Sequence, residues 1–268
     1  MLFDLHVHTN HSDGIFSPEE VVNLALARNL QGIAITDHDT ITGISPAMEY
    51  SKRFHDFTVI PGIEFSTIYN DEEVHILGYF INPFDSSILE ITDKLKKSRL
   101  NRGINMVKKF NDLGFNITID EVIETSGGEL IGRPHIARVL INKGYVNSIE
   151  EAFNKYLDRG KPAYVERYRL AIEEAISIIN NSGGYAILAH PGLLKDKSII
   201  EYCINAGIDG IECIHSKHNI LDAEYLKIIA KTNNLIITGG SDFHGDNLEI
   251  LGKFSVDINN IPKFKEMI

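Results

Sequence analysis

Short apolar runs rich in Ile, Val and Leu alternate along the chain with longer stretches whose apolar residues recur at helical spacing. The short runs are 3–8, 32–36, 58–63, 74–80, 185–189, 210–214 and 235–238. Most are too short for a helix and have the composition of buried parallel strands. Between the first two, Ser17-Pro18-Glu19-Glu20 precedes Val21, Leu24 and Ala25. Ser17 suits a helix cap, Pro18 the first turn, and Glu20 completes a capping box, so a helix is predicted there. Residues 171–180 and 223–231 also read as helices, each ahead of a strand. Strands alternating with helices predict an α/β fold.

One connection breaks this alternation. Only residues 66–73 separate the third and fourth runs, and Asn70-Asp71 there is turn-like. That span cannot hold a helical crossover, so the fourth strand is predicted antiparallel to the third. Residues 85–165 show no strand pattern and read as helices, among them 86–113, 134–142 and 150–158. The expected organisation is a body built from 1–84 and 166–268, with a helical insertion at 85–165 that contributes to substrate binding.

Charge changes the picture by its distribution. The net charge is −11, which argues against a bulk polyanion binder. Residues 85–169, however, hold 15 basic and 12 acidic residues, against 11 and 25 in the remainder. An acidic body can hold cations, and a basic segment can face an anionic substrate. A solvated surface would give the same count, so charge alone decides nothing. No apolar run approaches the roughly 18 residues of a membrane span. The start, MLFDLHVHTNHSDG, lacks a basic segment followed by an apolar stretch, so it is expected to be structure rather than a signal peptide. Cys203 and Cys213 form no C-x-x-C pair, which leaves neither a disulfide framework nor a thiolate zinc site. The cytoplasm is the expected compartment.

The chemistry lies at the ends of the runs. His6 and His8 are two apart on one strand, so both imidazoles face one side. Asp13 follows in a loop, Asp37-His38 ends the second run, and Glu64 ends the third. His190 ends the fifth, His215 follows the sixth, and Asp242 and His244 follow the seventh. Parallel strands bring such groups to one rim. His75 stands at the start of its run, and an antiparallel strand would place it beside Glu64. A lone histidine is more often a core or surface residue than a ligand, as for His55. Repetition at one end of successive strands is another matter. Carboxylates and imidazoles crowded on a rim repel or lose solvation unless divalent cations hold them together. An oxygen and nitrogen donor set without cysteine suits zinc, manganese or iron.

The segments Asp4-Leu5-His6-Val7-His8-Thr9, Ser12-Asp13-Gly14, Ile35-Thr36-Asp37-His38-Asp39, Gly62-Ile63-Glu64, His75, Ala189-His190-Pro191 and Ser241-Asp242-Phe243-His244 together resemble the PHP (polymerase and histidinol phosphatase) family. The resemblance implies a distorted seven-stranded β/α barrel with two or three divalent ions. Carried over, His6, His8, Glu64 and Asp242 would hold one ion. Glu64 would be shared with a second, held by His75 and His190. Asp13, His38 and His244 would hold a third. Ser98-Arg99-Leu100-Asn101-Arg102, Gly132-Arg133-Pro134-His135-Ile136-Ala137-Arg138 and Lys161-Pro162-Ala163-Tyr164-Val165 look like the stand-alone phosphoesterase branch. That branch acts on nucleoside 3′,5′-bisphosphates and on 5′ ends of short RNA.

The implied mechanism is hydrolysis by a water between two ions that share Glu64, about 3.5–4 Å apart. Asp242 would accept its proton, and His38 and His244 would stabilise the leaving oxygen. Arg102 and Arg133 would grip a second phosphate, since a guanidinium fork matches its oxygens. Arg99, His135, Lys161, His215 and His218 are further substrate-binding candidates. The expected partner is a small-molecule or oligonucleotide phosphate, with no membrane and no stable protein partner implied. A phosphatase for a non-nucleotide metabolite, and a metal-binding regulatory module without turnover, stay open at this point.

Overall fold

The computed structural model describes residues 1–127 and 130–268. Strands β1 (Leu2–Val7), β2 (Gly32–Ile35) and the first part of β3 (Thr58–Tyr69) lie parallel to one another. β3 then turns back into β4 (Glu72–Tyr79), which pairs with it antiparallel as the short connection predicts. The turn residues Asn70 and Asp71 have φ of 45° and 66°. Two successive left-handed residues match the twist of a two-residue hairpin, and Asn and Asp tolerate that conformation. β5 (Tyr185–Leu188) runs antiparallel to β4, and β6 (Gly210–His215) and β7 (Ile236–Gly240) follow parallel.

The sheet order is β7-β6-β5-β4-β3-β2-β1-β8. It curls until the chain beyond β7 meets β1: the His8 amide donates to the Phe243 carbonyl at 2.9 Å, and Phe243 N to His6 O at 3.3 Å. The result is a nearly closed, distorted α/β barrel. The sequence predicts seven strands, and the structure has an eighth, β8 (Val256–Asp257), antiparallel to β1. Two residues give no periodic signal, so this strand is not legible before its partner is known. The third strand also runs past its predicted end at Ile63. Its regular ladder with β2 ends at Pro61, single bridges to His38 and Leu170 follow, and its pairing with β4 runs on to Tyr69, so Glu64 lies within the strand rather than at its end.

Helices cover the outside. α1 (Pro18–Ala27) has the predicted capping box, with Ser17 Oγ accepting from Glu20 N and Glu20 accepting from Ser17 N. α2 (Ile44–Ser51) follows β2. Between β4 and β5 come α3 (Ser86–Asp112), α4 (Ile119–Thr125), α5 (Arg133–Asn142), α6 (Ile149–Ala152) with a π-helical turn at Phe153–Leu157, and α7 (Ile172–Asn181). Along α3, Ile88, Ile91 and Leu95 join the core that packs helices on the sheet. Further on, Met106, Val107 and Phe110 join a separate cluster with Val122, Ile136, Leu140 and Leu157. α8 (Ser198–Asn205) and α9 (Ile220–Thr232) flank β6 in sequence. At the foot, α10 (Pro262–Lys265) sets Phe264 edge-on to Tyr79, with ring centroids 5.4 Å apart. No helix among the described residues is long and apolar enough to cross a membrane.

Closure brings β7 and β1 unusually near. A Cβ built on Gly240 would overlap the Cβ and backbone nitrogen of His6. Gly240→Ala is therefore expected to force the two strands apart and destabilise the fold by about 1–3 kcal/mol, the range for overpacking. Denaturant unfolding of the metal-free protein measures this, and an unchanged midpoint would show that closure does not need the glycine.

Candidate metal centre

The parallel strands deliver their chemistry to one rim. His6 lies on β1 and His8 one residue past its end, His38 follows β2 and bridges to Glu64 of β3, and His75 comes from the antiparallel β4. His190 follows β5, His215 ends β6, and Asp242 and His244 follow β7. His190 and Asp242 hold φ of 30° and 56°. Left-handed backbone at residues other than glycine costs of order 1–3 kcal/mol and gathers where the surroundings impose it.

Glu64 is the hub. Its Oε1 lies 2.9 Å from His75 Nδ1, 3.1 Å from His190 Nε2 and 3.4 Å from His6 Nε2. Its Oε2 lies 2.8 Å from His38 Nδ1 and 3.4 Å from His8 Nε2. Asp242 Oδ1 sits 3.5 Å from His6 Nε2 and 3.4 Å from His8 Nε2. Asp13 Oδ1 is 3.2 Å from His244 Nε2, and Asp13 Oδ2 is 4.0 Å from His38 Nε2. Burial resists ionisation of Glu64, yet His38, His75 and His6 hold its carboxyl well below the usual range. Burial likewise opposes charge on Asp242 and Asp13, and His244 beside each dominates in holding them low. The imidazoles divide: His75 and His244 are pushed up to about 10 despite burial, by Glu64 and by Asp13 respectively. His8 falls to about 3 through burial and the neighbouring His244.

A cation fits this arrangement on a direct observation. His6 Nε2, both nitrogens of His8, His38 Nδ1 and Glu64 Oε2 are buried without a hydrogen-bond partner. Buried polar atoms are seldom left so. Donor atoms of His8, Asp13, His38 and His244 lie within 4.8 Å of one another, as do those of His6, His8 and Glu64, and of His38, Glu64 and His75. These groups could each hold a divalent ion, with Glu64 common to two.

A further set, His6, Glu212 and His215, has another role. Glu212 accepts from His6 Nδ1 at 2.9 Å and from the His190 backbone nitrogen at 2.8 Å. It therefore aims one imidazole and seats the loop of another, as an outer carboxylate does behind a metal-binding histidine. Nothing in Ile211-Glu212-Cys213 marks it in sequence. His215 reaches the rim, with Nε2 3.5 Å from Asp242 Oδ2 and Nδ1 accepting from Lys217 N.

The candidate substrate residues separate into two groups. Arg102 and Arg133 lie in a basic cluster with Arg99, Arg167 and Arg169, beside the centre. Arg99 Nε and Arg167 Nη2 donate to Asp39 at 2.8 and 3.0 Å, and Arg99 Nη2 to Ser66 Oγ at 3.2 Å. Arg133 and Arg169 each donate to Glu73 Oε2 at 3.2 Å, and Glu73 Oε1 is 3.4 Å from His75 Nε2. Arg102 donates only Nε, to the Val165 carbonyl, and its Nη2 is buried without a partner. Burial, then Arg133, Arg167 and Arg99, push it down to about 8. Lys161 is exposed and lines a cleft of about 640 Å³ with Arg133, Arg169 and Tyr164. The other two candidates bond backbone groups, His218 through both ring nitrogens and His135 through one. His218 places Nδ1 on the Cys213 carbonyl and Nε2 on Gly192 N, at 3.1 and 3.0 Å. His135 accepts from Gly132 N at 3.0 Å at the start of α5. Sequence reading passes over Asp39, Glu73, Arg167, Arg169 and also Arg138, which donates to the Asp13 carbonyl at 3.0 Å.

Glu212→Ala removes both of the bonds that Glu212 accepts. Divalent metal affinity is expected to fall by about 10- to 100-fold, the usual cost of losing an outer carboxylate. Calorimetric titration of manganese into the metal-free variant checks this. Wild-type affinity would show that His6 needs no such support.

The PHP domain family model matches residues 4–236. The chain is 33% identical over 247 residues to the 3′,5′-nucleoside bisphosphate phosphatase of Chromobacterium violaceum, covering 90% of this chain and 86% of that protein. It is 32% identical over 250 residues to the 5′-3′ exoribonuclease Rnm of Escherichia coli (strain K12), covering 91% and 85%. Among solved structures it is similar to a Bifidobacterium adolescentis protein described as a metal-dependent phosphoesterase, with a TM-score of 0.89, 30% identity and coverage of 97% and 94%. Family model, whole-length relatives and rim geometry agree, and the chain belongs to the PHP domain family.

Proposed function

We propose that this chain is a metal-dependent phosphoric ester hydrolase for nucleotides that carry a second anionic group, namely 3′,5′-nucleoside bisphosphates or the 5′ ends of short RNA. The observation that carries this reading is Arg102, a buried guanidinium without an acidic partner, set in an arginine cluster that adjoins the carboxylate–imidazole hub. The Chromobacterium violaceum and Escherichia coli relatives, named for these two activities, support it.

His6, His8, Glu64 and Asp242 would hold one divalent ion; Glu64, His75 and His190 a second; Asp13, His38 and His244 a third. Manganese, zinc or iron suits such donors. When bound, the ions neutralise phosphate oxygens and lower the pKa of water at the centre. The protein's own groups do the rest. Asp242 accepts the proton of the attacking water, and Lys217 Nζ, 3.4 Å from its Oδ2, holds the carboxylate in place. His38 and His244, with side chains 15% and 24% exposed, flank Asp13 at the rim, and they stabilise the leaving oxygen. Arg102 and Arg133 take the remote phosphate, so binding energy away from the reacting bond orients the ester. Residues 85–165 serve as the selecting part, because Arg99, Arg102, Arg133 and Lys161 all come from them.

Two experiments test this. A manganese-supported hydrolysis screen should show 3′,5′-bisphosphates and 5′-phosphorylated short RNA preferred over plain mononucleotides and an aryl phosphate. Arg102→Ala should lower kcat/KM on a bisphosphate by about 10- to 100-fold, the loss of one charged hydrogen bond, and leave the aryl phosphate unchanged. Equal losses on both would make Arg102 a support of the fold, and preference for a non-nucleotide ester would overturn the substrate class. Separately, wild-type protein should bind more than one divalent ion per chain by elemental analysis. Glu64→Gln should lose both metal and turnover by orders of magnitude, and unchanged metal content with near wild-type activity would remove Glu64 from the hub.

A further inference from the structure

The cleft beside the arginine cluster leads away from the hub. It holds about 640 Å³ between the β3–β4 hairpin, the insertion and the loop after β5, and no hub residue lines it. Arg133 and Arg169, both held on Glu73, form the end nearest the hub, since Glu73 also reaches His75. From His75 the hairpin climbs to its turn at Asp71, four residues and about 13 Å of extended chain further on. Of the lining residues only Ile68 and Tyr164 offer apolar or aromatic surface, so a base finds nothing to be stacked between. Charge decides what the cleft can take.

Five of the lining residues are cations, Arg133, Arg159, Lys161, Arg169 and Lys195, and four are acids. The acids are already engaged. Glu73 and Asp158 face Arg133, and Asp71 pairs with Arg159 at 2.8 Å. Glu72 accepts from the backbone nitrogens of Lys195 and Asp196 at 2.6 and 3.2 Å. Glu72 thus ties the Lys195 loop to the hairpin and leaves the Lys195 side chain out of the pairing. Two cations remain. The ammoniums of Lys161 and Lys195, both on exposed residues, have no acidic partner among the described residues. An ammonium meets a phosphate as a point charge and needs no fixed fork.

We propose that this cleft receives the outer phosphates of a 5′-diphosphate or 5′-triphosphate. The inference rests on the reading above, in which Arg102 and Arg133 hold the 5′ phosphate while the ester on the 3′ side meets the hub. A phosphate joined to that 5′ group passes Arg133 and enters the cleft, where Arg169, Lys161 and Lys195 line the walls. The bond cut is unchanged. Water adds to the 3′-side phosphorus, the P–O3′ bond breaks, and the 3′ oxygen leaves with a proton. The 5′ anhydride stays intact, because the cleft holds it away from the hub.

Steady-state kinetics on the manganese-loaded full chain, at fixed free manganese, test this with adenosine 3′-phosphates carrying a 5′-mono-, 5′-di- or 5′-triphosphate. KM should fall about tenfold or more from the monophosphate to the triphosphate, with kcat unchanged. The product should keep its 5′-triphosphate. Lys195→Glu should abolish the gain, Lys195→Arg should keep it, and both should hydrolyse the 3′,5′-bisphosphate as the wild type does. The wild-type series decides the matter even where a variant fails to fold. A KM indifferent to the added phosphates, release of phosphate from the 5′ end, or a gain that survives Lys195→Glu would overturn the proposal and leave the bisphosphate reading in place. Failure to hydrolyse the bisphosphate at all would overturn that reading and this one with it.

Discussion

Everything at the rim answers to one constraint: Glu64 is a carboxylate 1% exposed to solvent, enclosed by His6, His8, His38, His75 and His190. An ion buried this far from water costs several kcal/mol unless its charge and lone pairs are met. The imidazoles meet part of the cost, but several of their nitrogens point inward with nothing to bond. Those nitrogens and the second oxygen of Glu64 stay unsatisfied within the protein. A divalent cation is the group that completes them. Glu64 and Asp13, which raise His75 and His244 to about 10 against burial, favour positive charge there, and a metal ion supplies it in place of protons.

The hairpin of β3 and β4 is how the fold meets this constraint. β3 ends its ladder with β2 at Pro61, keeps a bridge from Glu64 to His38 and carries Glu64 into the centre, and the return strand brings His75 beside it. Two residues before His75, on the same face, Glu73 reaches away from the hub to Arg133 and Arg169. One strand thus ties the imidazole cluster to the arginine cluster at a spacing fixed by the pleat. A one-residue slip of β4 would turn both side chains to the opposite face. Seven paired positions, from Gly62 with Tyr79 to Ile68 with Glu73, hold that register before the final pair at the turn.

The sequence reveals the parts of this design that are local. The His-x-His pair, the capping box at Ser17, and the antiparallel return at Asn70-Asp71 each rest on residues within a few positions. What escapes is what depends on distant partners. Glu212 sits inside an apolar run, and its meaning comes from His6, 206 positions away. Asp39 reads as part of the His38 segment, whereas in the fold it anchors Arg99 and Arg167, 60 and 128 positions on. His218 and His135 show the converse. Their type and position invite a substrate role, and only the fold discloses that both ring nitrogens of His218 and Nδ1 of His135 bond backbone groups. β8 is too short to carry any pattern and exists because β1 offers it an edge.

The arginine cluster follows a different economy from the hub. Asp39 answers Arg99 and Arg167, Glu73 answers Arg133 and Arg169, and Asp158 and Glu166 add a second acid to Arg133 and to Arg169, so most of the cluster is neutralised within the protein. Arg102 is left over. A guanidinium placed there only for stability would gain from an acid as near as Asp39 is to Arg99, and the neighbouring chain offers it a carbonyl instead. Burial and three like charges act against it. In the proposed reading that deficit is the binding site: an oxyanion supplies the missing charge and bonds, and the cost carried by the free protein becomes affinity for the substrate. The net charge of −11 does not oppose this, because low-dielectric walls focus the local field of the cluster over the few ångströms that matter. In that reading, an acidic body that holds cations, with a buried arginine lacking an acid beside them, selects for an ester with two anionic groups rather than one.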